Sequence, residues 1–353
     1  MTHGDEVFGR DELIKELWGE ISVYNVILID AARRLGKTTI MKKMSSEPPS
    51  NMIAIWFPLE DITSQYEFFT RCYDRAKHYC NKPWYKIAYR PWTATKRMAG
   101  SFTGMQAWGL KIPQFKPVGW KSLFEKLIKR LSTVPCDKVV LFFDEIPLML
   151  HTISKKEGEA EAQEVLNVLR RLAEDLSDKV CFVFAGSLGF HHIDRIIKRK
   201  LGVNAPTINI SRVFPVPPLD LDSSKAFAEA ILNSLSVKYE PDVLNLIAER
   251  TNGIPFYNKT ISLSHNQTIQ PDLTWTIEKT NELIDEKISS EHLHISSDHF
   301  ERLKNSDYYD QDNYEALYLL LGFLSKKNDN VSIEELFENA KHIIGNRSVF
   351  NEL

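Results

Sequence analysis

The stretch that most constrains the fold is Asn25-Val-Ile-Leu-Ile-Asp30, a short apolar run that leads straight into Ala31-Ala-Arg-Arg-Leu-Gly-Lys-Thr-Thr39. Beyond it, Met41 and Met44 begin an apolar-periodic segment. An apolar run of this length is what a strand buried on both faces presents, and helical spacing after it predicts a helix. The chain therefore contains a strand, a tight glycine-containing loop and a helix in direct succession.

The same alternation continues. The pattern predicts a helix from Asp11 to Ile21, a loop at Ser45-Ser-Glu-Pro-Pro-Ser50, a second strand from Met52 to Phe57 and a helix near Gln65 to Tyr79. A helix from Ser122 to Leu131 follows, then a third buried strand, Val139-Val-Leu-Phe-Phe143, which ends in Asp144-Glu145. A long amphipathic helix, Glu159 to Leu176, precedes a fourth strand, Val180 to Ala185, which ends in Gly186-Ser187. The run from Lys155 to Glu161 reads as a solvated helix start. Alternating strands and helices of these lengths imply a parallel sheet covered on both faces. Pro215, Pro217 and Pro218 close this unit, because a proline cluster cannot continue a central strand. The first domain thus spans 1–221.

From Ser223 the chain turns helical: Ser223 to Leu235, Asp242 to Thr251, Pro255 to Ser264 and Leu273 to Ile288, a second domain over 222–290. The last part, 291–353, places Tyr314, Leu317, Leu320, Leu321 and Leu324 on one helix and Asn328-Asp-Asn in a turn. A further helix opens with Ser332-x-x-Glu335, which has the form of a capping box. Two short helices around such a turn fit a helix-turn-helix or winged-helix unit, truncated at Leu353.

The chemistry concentrates at Gly36-Lys37-Thr38. Backbone amides of a loop at a helix start, here Ala32, Arg33, Arg34, Leu35, Gly36 and Thr39 beside Lys37 and Thr38, suit bound phosphate. The lysine reaches the β- and γ-phosphates and the threonine hydroxyl ligates Mg²⁺. The pattern wants a glycine five positions before Gly36, where this chain has Ala31. Asp144, at the end of a buried strand, can hold the water shell of Mg²⁺, and Glu145 can polarise an attacking water. A strand that merely ends in two solvated acids is the plain alternative. Ser187 can contact the γ-phosphate, or cap the helix from Leu188. Arg212 is a candidate to neutralise phosphate charge in the same or a neighbouring subunit, with Arg195, Lys198 and Arg199 as rivals.

Phe8-Gly-Arg10 with Asp11-Glu12-Leu13, Ala32-Arg-Arg-Leu-Gly-Lys-Thr38, Phe143-Asp-Glu145, Ala185-Gly-Ser187 and Gly253-Ile-Pro255-Phe-Tyr257 together resemble the archaeal-ATPase-like branch of the AAA+/STAND P-loop ATPases. The resemblance covers about residues 6 to 265. It implies an α/β P-loop NTPase sheet with helices on both faces, a helical lid, and a C-terminal winged-helix-like unit. It implies an Mg²⁺-dependent ATPase with Lys37 and Thr38 as Walker A, Asp144 and Glu145 as Walker B, and Ser187 as sensor 1. Gly9 and Arg10 would lie near the adenine, and Pro255 would reach the nucleotide from the lid. The implied role is a switch in signalling or defence that works through nucleotide-dependent partner binding, often in oligomers or with an effector encoded separately. An adaptor that holds ATP with little turnover, and a DNA-binding ATPase, are the other readings.

Charge adds one feature. The formal charge of −3 averages two unlike parts. Between Asp74 and Glu125 there is no acidic residue but ten cations, and the remaining 34 cations face 47 acids, a balance of −13. This window, 75–121, also carries Trp84, Tyr85, Tyr89, Trp92, Trp108 and Trp120. It reads as an insertion with a β-hairpin in its middle, Lys96 to Pro113, that meets nucleic acid, an acidic protein, or only solvent. Cys72, Cys80, Cys136 and Cys181 form no CxxC pair and read as reduced thiols. His191, His192, His292, His294 and His299 lack the spacing of a metal site. No segment approaches the ~20 apolar residues of a membrane span, and the acidic start is unlike a signal peptide, so the expected compartment is the cytoplasm.

Overall fold

The computed structural model describes residues 7–79, 119–186, 201–202, 208–265, 274–289, 320, 322–324 and 331–344. The hairpin expected in the basic window, Ser187, Arg195, Lys198, Arg199, Cys80, the five histidines named above and the helix carrying Tyr314 lie wholly or largely outside these residues. The expected winged-helix unit, 291–353, lies largely outside them as well.

Five strands form one parallel sheet: β1 (Val26–Asp30), β2 (Met52–Pro58), β3 (Lys138–Asp144), β4 (Val180–Ala185) and β5 (Arg212–Pro215), in the order β2-β3-β4-β1-β5. The register levels their C-terminal ends, with Asp144 opposite both Pro58 and Ala185, Ile29 opposite Ala185, and Asp30 opposite Pro215. Each predicted strand is present within a residue or two. β5 is an addition: the proline cluster marks the end of the unit, but an edge strand tolerates proline at its border, and Pro215 occupies that place.

Two apolar layers hold the sheet. Period-two alternation sends Val140 and Phe142 of β3 to one face, with Ile27, Ile29, Cys181 and Val183. There they meet Leu17 and Ile21 of helix α1 (Asp11–Val23) and Ile40, Met41 and Met44 of α2 (Lys37–Ser46). Phe143 points the other way, its ring 5.0 Å from Phe57 and 5.7 Å from Phe184. Phe68 of α3 (Gln65–Ala76) closes over that face and packs 5.0 Å from Phe124 of α4 (Trp120–Leu131). Helices thus cover both faces, as the buried character of every strand requires.

Helix α5 (Ile146–Lys156) is not visible in the sequence pattern. Its first turn continues the apolar run of β3 without a break, and Pro147 looks like a breaker; within a first turn, however, proline is tolerated. The run Lys155 to Glu161 is consequently not one helix start. It holds the end of α5, Gly158 at φ +129°, and the beginning of α6 (Glu159–Asp175).

Helices α7 (Leu221–Ser234), α8 (Pro241–Arg250) and α9 (Pro255–Ser264) follow. Short strands β6 (Lys238–Tyr239) and β7 (Thr274–Trp275) pair in parallel, so that the helix read from Leu273 begins instead as α10 at Ile277 (Ile277–Ser289). A buried polar seam joins α9 to α7: the Asn258 amide donates to the Ser224 carbonyl at 2.8 Å and to its hydroxyl at 2.9 Å. The chain divides into two compact units, Met1–Ile277 and Glu278–Leu353, so the sheet and α7 to α9 share one unit. In the second, α11 (Ile333–Ile344) opens with the Glu335 amide donating to Ser332 Oγ at 3.1 Å, one half of the expected capping box.

Gly253 explains its own position. Its φ is +66°, and an added Cβ would sit 2.0 Å from the Leu219 carbonyl oxygen. The Leu219 amide in turn donates to the Gly253 carbonyl at 2.8 Å. Gly253→Ala combines left-handed strain with overpacking, so its expected loss is about 2–4 kcal/mol of stability. A urea midpoint equal to that of the wild type contradicts this.

Candidate phosphate-binding site

The strand ends of β1 and β3 stand two strands apart, with β4 between them, at the sheet edge where α/β proteins bind ligands. The loop from Ala31 to Gly36 leaves β1 and delivers the chain to α2. Gly36 caps α2 at φ +93°, in a space where an added Cβ would meet nothing within 4 Å. The backbone, not crowding, therefore calls for glycine there. Ala31 is absent from the positive-φ residues, so alanine in place of the first glycine carries no backbone penalty; the left-handed non-glycine residue of this loop is Arg34, at φ +72°.

Lys37 is only 6% exposed, and its ammonium donates to the Ala31 carbonyl at 2.6 Å and the Ala32 carbonyl at 3.1 Å. Burial pulls its pKa down, while Glu145, Asp144 and Asp30 pull it up. Lys37, Asp144 and Glu145, distant in sequence, are thus brought into one electrostatic site. Leu35 is a buried anchor in the apolar layer beneath the loop, whereas Ala32 and Thr39 are exposed and Arg33, Arg34 and Thr38 half-buried.

Asp144 is 4% exposed. Burial pushes its carboxyl up; the Thr38 hydroxyl pulls it down, Glu145 pushes it up again, and Trp56 and Lys37 oppose. Trp56 Nε1 donates to Asp144 Oδ2 at 3.3 Å, while Oδ1 is buried without a hydrogen-bond partner. An acidic oxygen left unpaired beside a threonine hydroxyl is a donor set suited to a hard divalent cation. Glu145 follows at φ +62° as the N-cap of α5. Of the four described non-glycine residues with positive φ, Arg34 and Glu145 are both at this site, which is where retained strain concentrates in functional proteins.

A raised Asp144 pKa means that the native chain binds more protons than the unfolded chain between the two values. Stability therefore falls as pH rises through that interval. Asp144→Asn removes this penalty and is expected to raise Tm at pH 7. The same substitution is expected to abolish whatever Mg²⁺ adds to ATP-induced stabilisation. A lower Tm, or an intact Mg²⁺ increment, contradicts the assignment.

The Phe8-Gly-Arg10 segment lies at the junction of the sheet with α7. Phe8 packs 5.1 Å from Phe227, and an added Cβ on Gly9, at φ +60°, would meet Ser223 at 2.4 Å. The buried Arg10 guanidinium donates to the Pro217 carbonyl at 2.7 Å and the Leu35 carbonyl at 3.5 Å, and burial lowers its pKa. Arg10 thereby ties the Ala31–Gly36 loop to the connection into α7. Pro255 opens α9, Ile254 before it packs on the apolar layer, and the Arg34 guanidinium lies 4.3 Å over the ring of Phe256. Arg212 is not brought to this site. It pairs with Ile27, three residues before the end of β1, and bonds Glu20 of α1 at 2.8 Å. At ~3.3 Å per strand residue it starts some 10 Å behind the loop. Trp56 and Phe256 are the site residues that pattern reading leaves out, because an aromatic inside an apolar strand, or beside a helix-opening proline, looks like packing.

No family profile matches the chain, and no curated protein matches it. Among solved structures, the chain is similar to a Walker-type ATPase of Pyrococcus abyssi, with a TM-score of 0.56 and 16% identity, over 96% of this chain and 90% of that one. Domain III of the replication initiation protein DnaA of Thermotoga maritima follows at a TM-score of 0.42 and 14% identity, over 81% of this chain and 95% of that one. The Holliday junction branch migration motor RuvB of Thermotoga maritima gives 0.40 and 13%, over 93% and 80%. The P-loop architecture expected from the motifs is present: the five-stranded parallel sheet gives the chain the same fold as the Walker-type ATPase.

Proposed function

We propose that this chain binds ATP with Mg²⁺ at the Ala31–Thr39 loop and hydrolyses it, and that the helices α7 to α9 act as the lid that reads the nucleotide state. The observation that carries this reading is the buried Lys37 ammonium, held by two carbonyls of its own loop and surrounded by Asp144 and Glu145. Phosphate oxygens offer Lys37 stronger, charge-assisted partners than those carbonyls. The backbone amides around Gly36 and the start of α2 add positive potential. Thr38 and Asp144 would hold the metal, which when bound would supply neutralisation of phosphate charge. Glu145 orients and polarises the attacking water. Ser187, which follows the end of β4 between β1 and β3, would sense the γ-phosphate. Gly9, Arg10 and Pro255 join the core to the lid, and the Arg34–Phe256 contact supports a direct path from loop to lid.

The motif resemblance supports a signalling or defence role in the cytoplasm, with output through a separately encoded partner or a homo-oligomer. The basic window 75–121 is the segment we assign to that partner, protein or nucleic acid. Arg212 has no place in this chain's own site. Among the described residues no helix is long and apolar enough to cross a membrane. Purified protein given radiolabelled ATP and Mg²⁺ is expected to release phosphate over many turnovers. Bound but unhydrolysed ATP favours the adaptor reading, and absence of bound ATP overturns both.

A further inference from the structure

A metal-holding aspartate must keep one oxygen free for the metal, although its terminal torsion is soft. Asp144 meets that need through a neighbour on β2. Trp56 Nε1 donates to Oδ2 at 3.3 Å, and Oδ1 is left buried and unpaired. The indole is itself held. Lys42 of α2 places its ammonium 4.6 Å from the ring centroid, and Arg75 of α3 its guanidinium carbon 5.2 Å away. The ring also packs on the apolar layer beneath α1 and α2. Two cations and a packed layer fix the plane in which the N–H can donate.

We propose that Trp56 is a positioning residue for the metal site: by occupying Oδ2 it fixes Oδ1 as the oxygen turned to Mg²⁺, with Lys42 and Arg75 clamping the indole. The inference rests on the Mg²⁺·ATP reading above. Trp56 acts through Asp144 and touches neither nucleotide nor metal. Its place two positions before the β3-aligned end of β2, Trp56 opposite Phe142 and Pro58 opposite Asp144, leaves the indole just behind the strand ends. Arg75 also opens the basic window, so the clamp joins the metal site to the helix that leads into that window.

The test measures ATP affinity by calorimetry with Mg²⁺ and with EDTA, in the full chain. Trp56→Phe keeps an aromatic face for both cations and removes the N–H. Its expected loss is about tenfold in Mg²⁺·ATP affinity, the lower range for partners that orient metal ligands, with affinity in EDTA unchanged. Trp56→His retains a ring N–H and is expected within about threefold of the wild type under both conditions. Equal metal enhancement in the wild type and Trp56→Phe overturns the role. So does a loss in Trp56→His as large as that in the phenylalanine variant. Affinity in EDTA reports folding; where Trp56→Phe loses it, Trp56→His decides alone, and a tenfold loss of its metal enhancement counts against the proposal. A wild-type chain that binds no ATP in either condition instead defeats the nucleotide reading.

Discussion

Glu145→Gln is expected to retain ATP and to lose hydrolysis by about 10²–10⁴-fold, the range that one positioned general base contributes. Glutamine keeps the shape of the side chain and cannot accept the proton of an attacking water. Lys37, Thr38 and Asp144 remain in place to hold nucleotide and metal, so affinity should change little. The position itself argues for a role beyond solvation. Glu145 sits at φ +62°, an arrangement a non-glycine residue adopts at a cost, at the junction of β3 with α5. A solvated acid at a strand end has no need of it. Measured kcat within tenfold of the wild type contradicts the assignment; a parallel loss of ATP affinity assigns Glu145 to binding instead.

Lys37→Met is expected to weaken ATP binding by roughly 10–100-fold, which corresponds to losing one hydrogen-bonded, charged partner of the phosphates. Two opposite terms keep the protein itself folded. The substitution leaves the Ala31 and Ala32 carbonyls without their donor, which destabilises. It also removes an ammonium that burial disfavours, as its lowered pKa shows. Their opposition predicts a Tm close to that of the wild type without nucleotide, and a smaller rise than the wild type's when ATP is added. A nucleotide-induced rise equal to the wild type's contradicts the central role of Lys37. The Asp144→Asn result completes the contrast, since that variant gains stability while losing the metal-dependent part of the response.

What could be read in advance depended on how each feature is written in the chain. Apolar runs such as Val139 to Phe143 announce buried strands by composition alone, and the amphipathic periods of α4 and α6 are equally plain. Asp144 and Glu145 are acids at the end of an apolar run, where burial would otherwise exclude them, and Gly36-Lys37 closes a short loop between an apolar strand and a helix; those contrasts make them legible. Helix α5 was hidden because its apolar first turn merges with β3, and β5 because four residues on an edge resemble a loop ending in proline. The tie between Arg10 and the Leu35 and Pro217 carbonyls spans up to 207 positions, and local pattern carries no trace of it. The same holds for Trp56 on Asp144 and Arg34 on Phe256. Arg212 is a further long-range case: its strand begins at the level of Ile27 and its guanidinium pairs with Glu20, which places it away from this chain's own loop.

The most direct measurement is a single-turnover reaction, with radiolabelled ATP well below the concentration of protein, in the wild type and in Glu145→Gln. With Mg²⁺, the wild type is expected to convert all bound ATP to ADP and phosphate, and Glu145→Gln to return it intact from the bound state. ATP recovered unchanged from the wild type contradicts the claim that Lys37, Asp144 and Glu145 form a hydrolytic site.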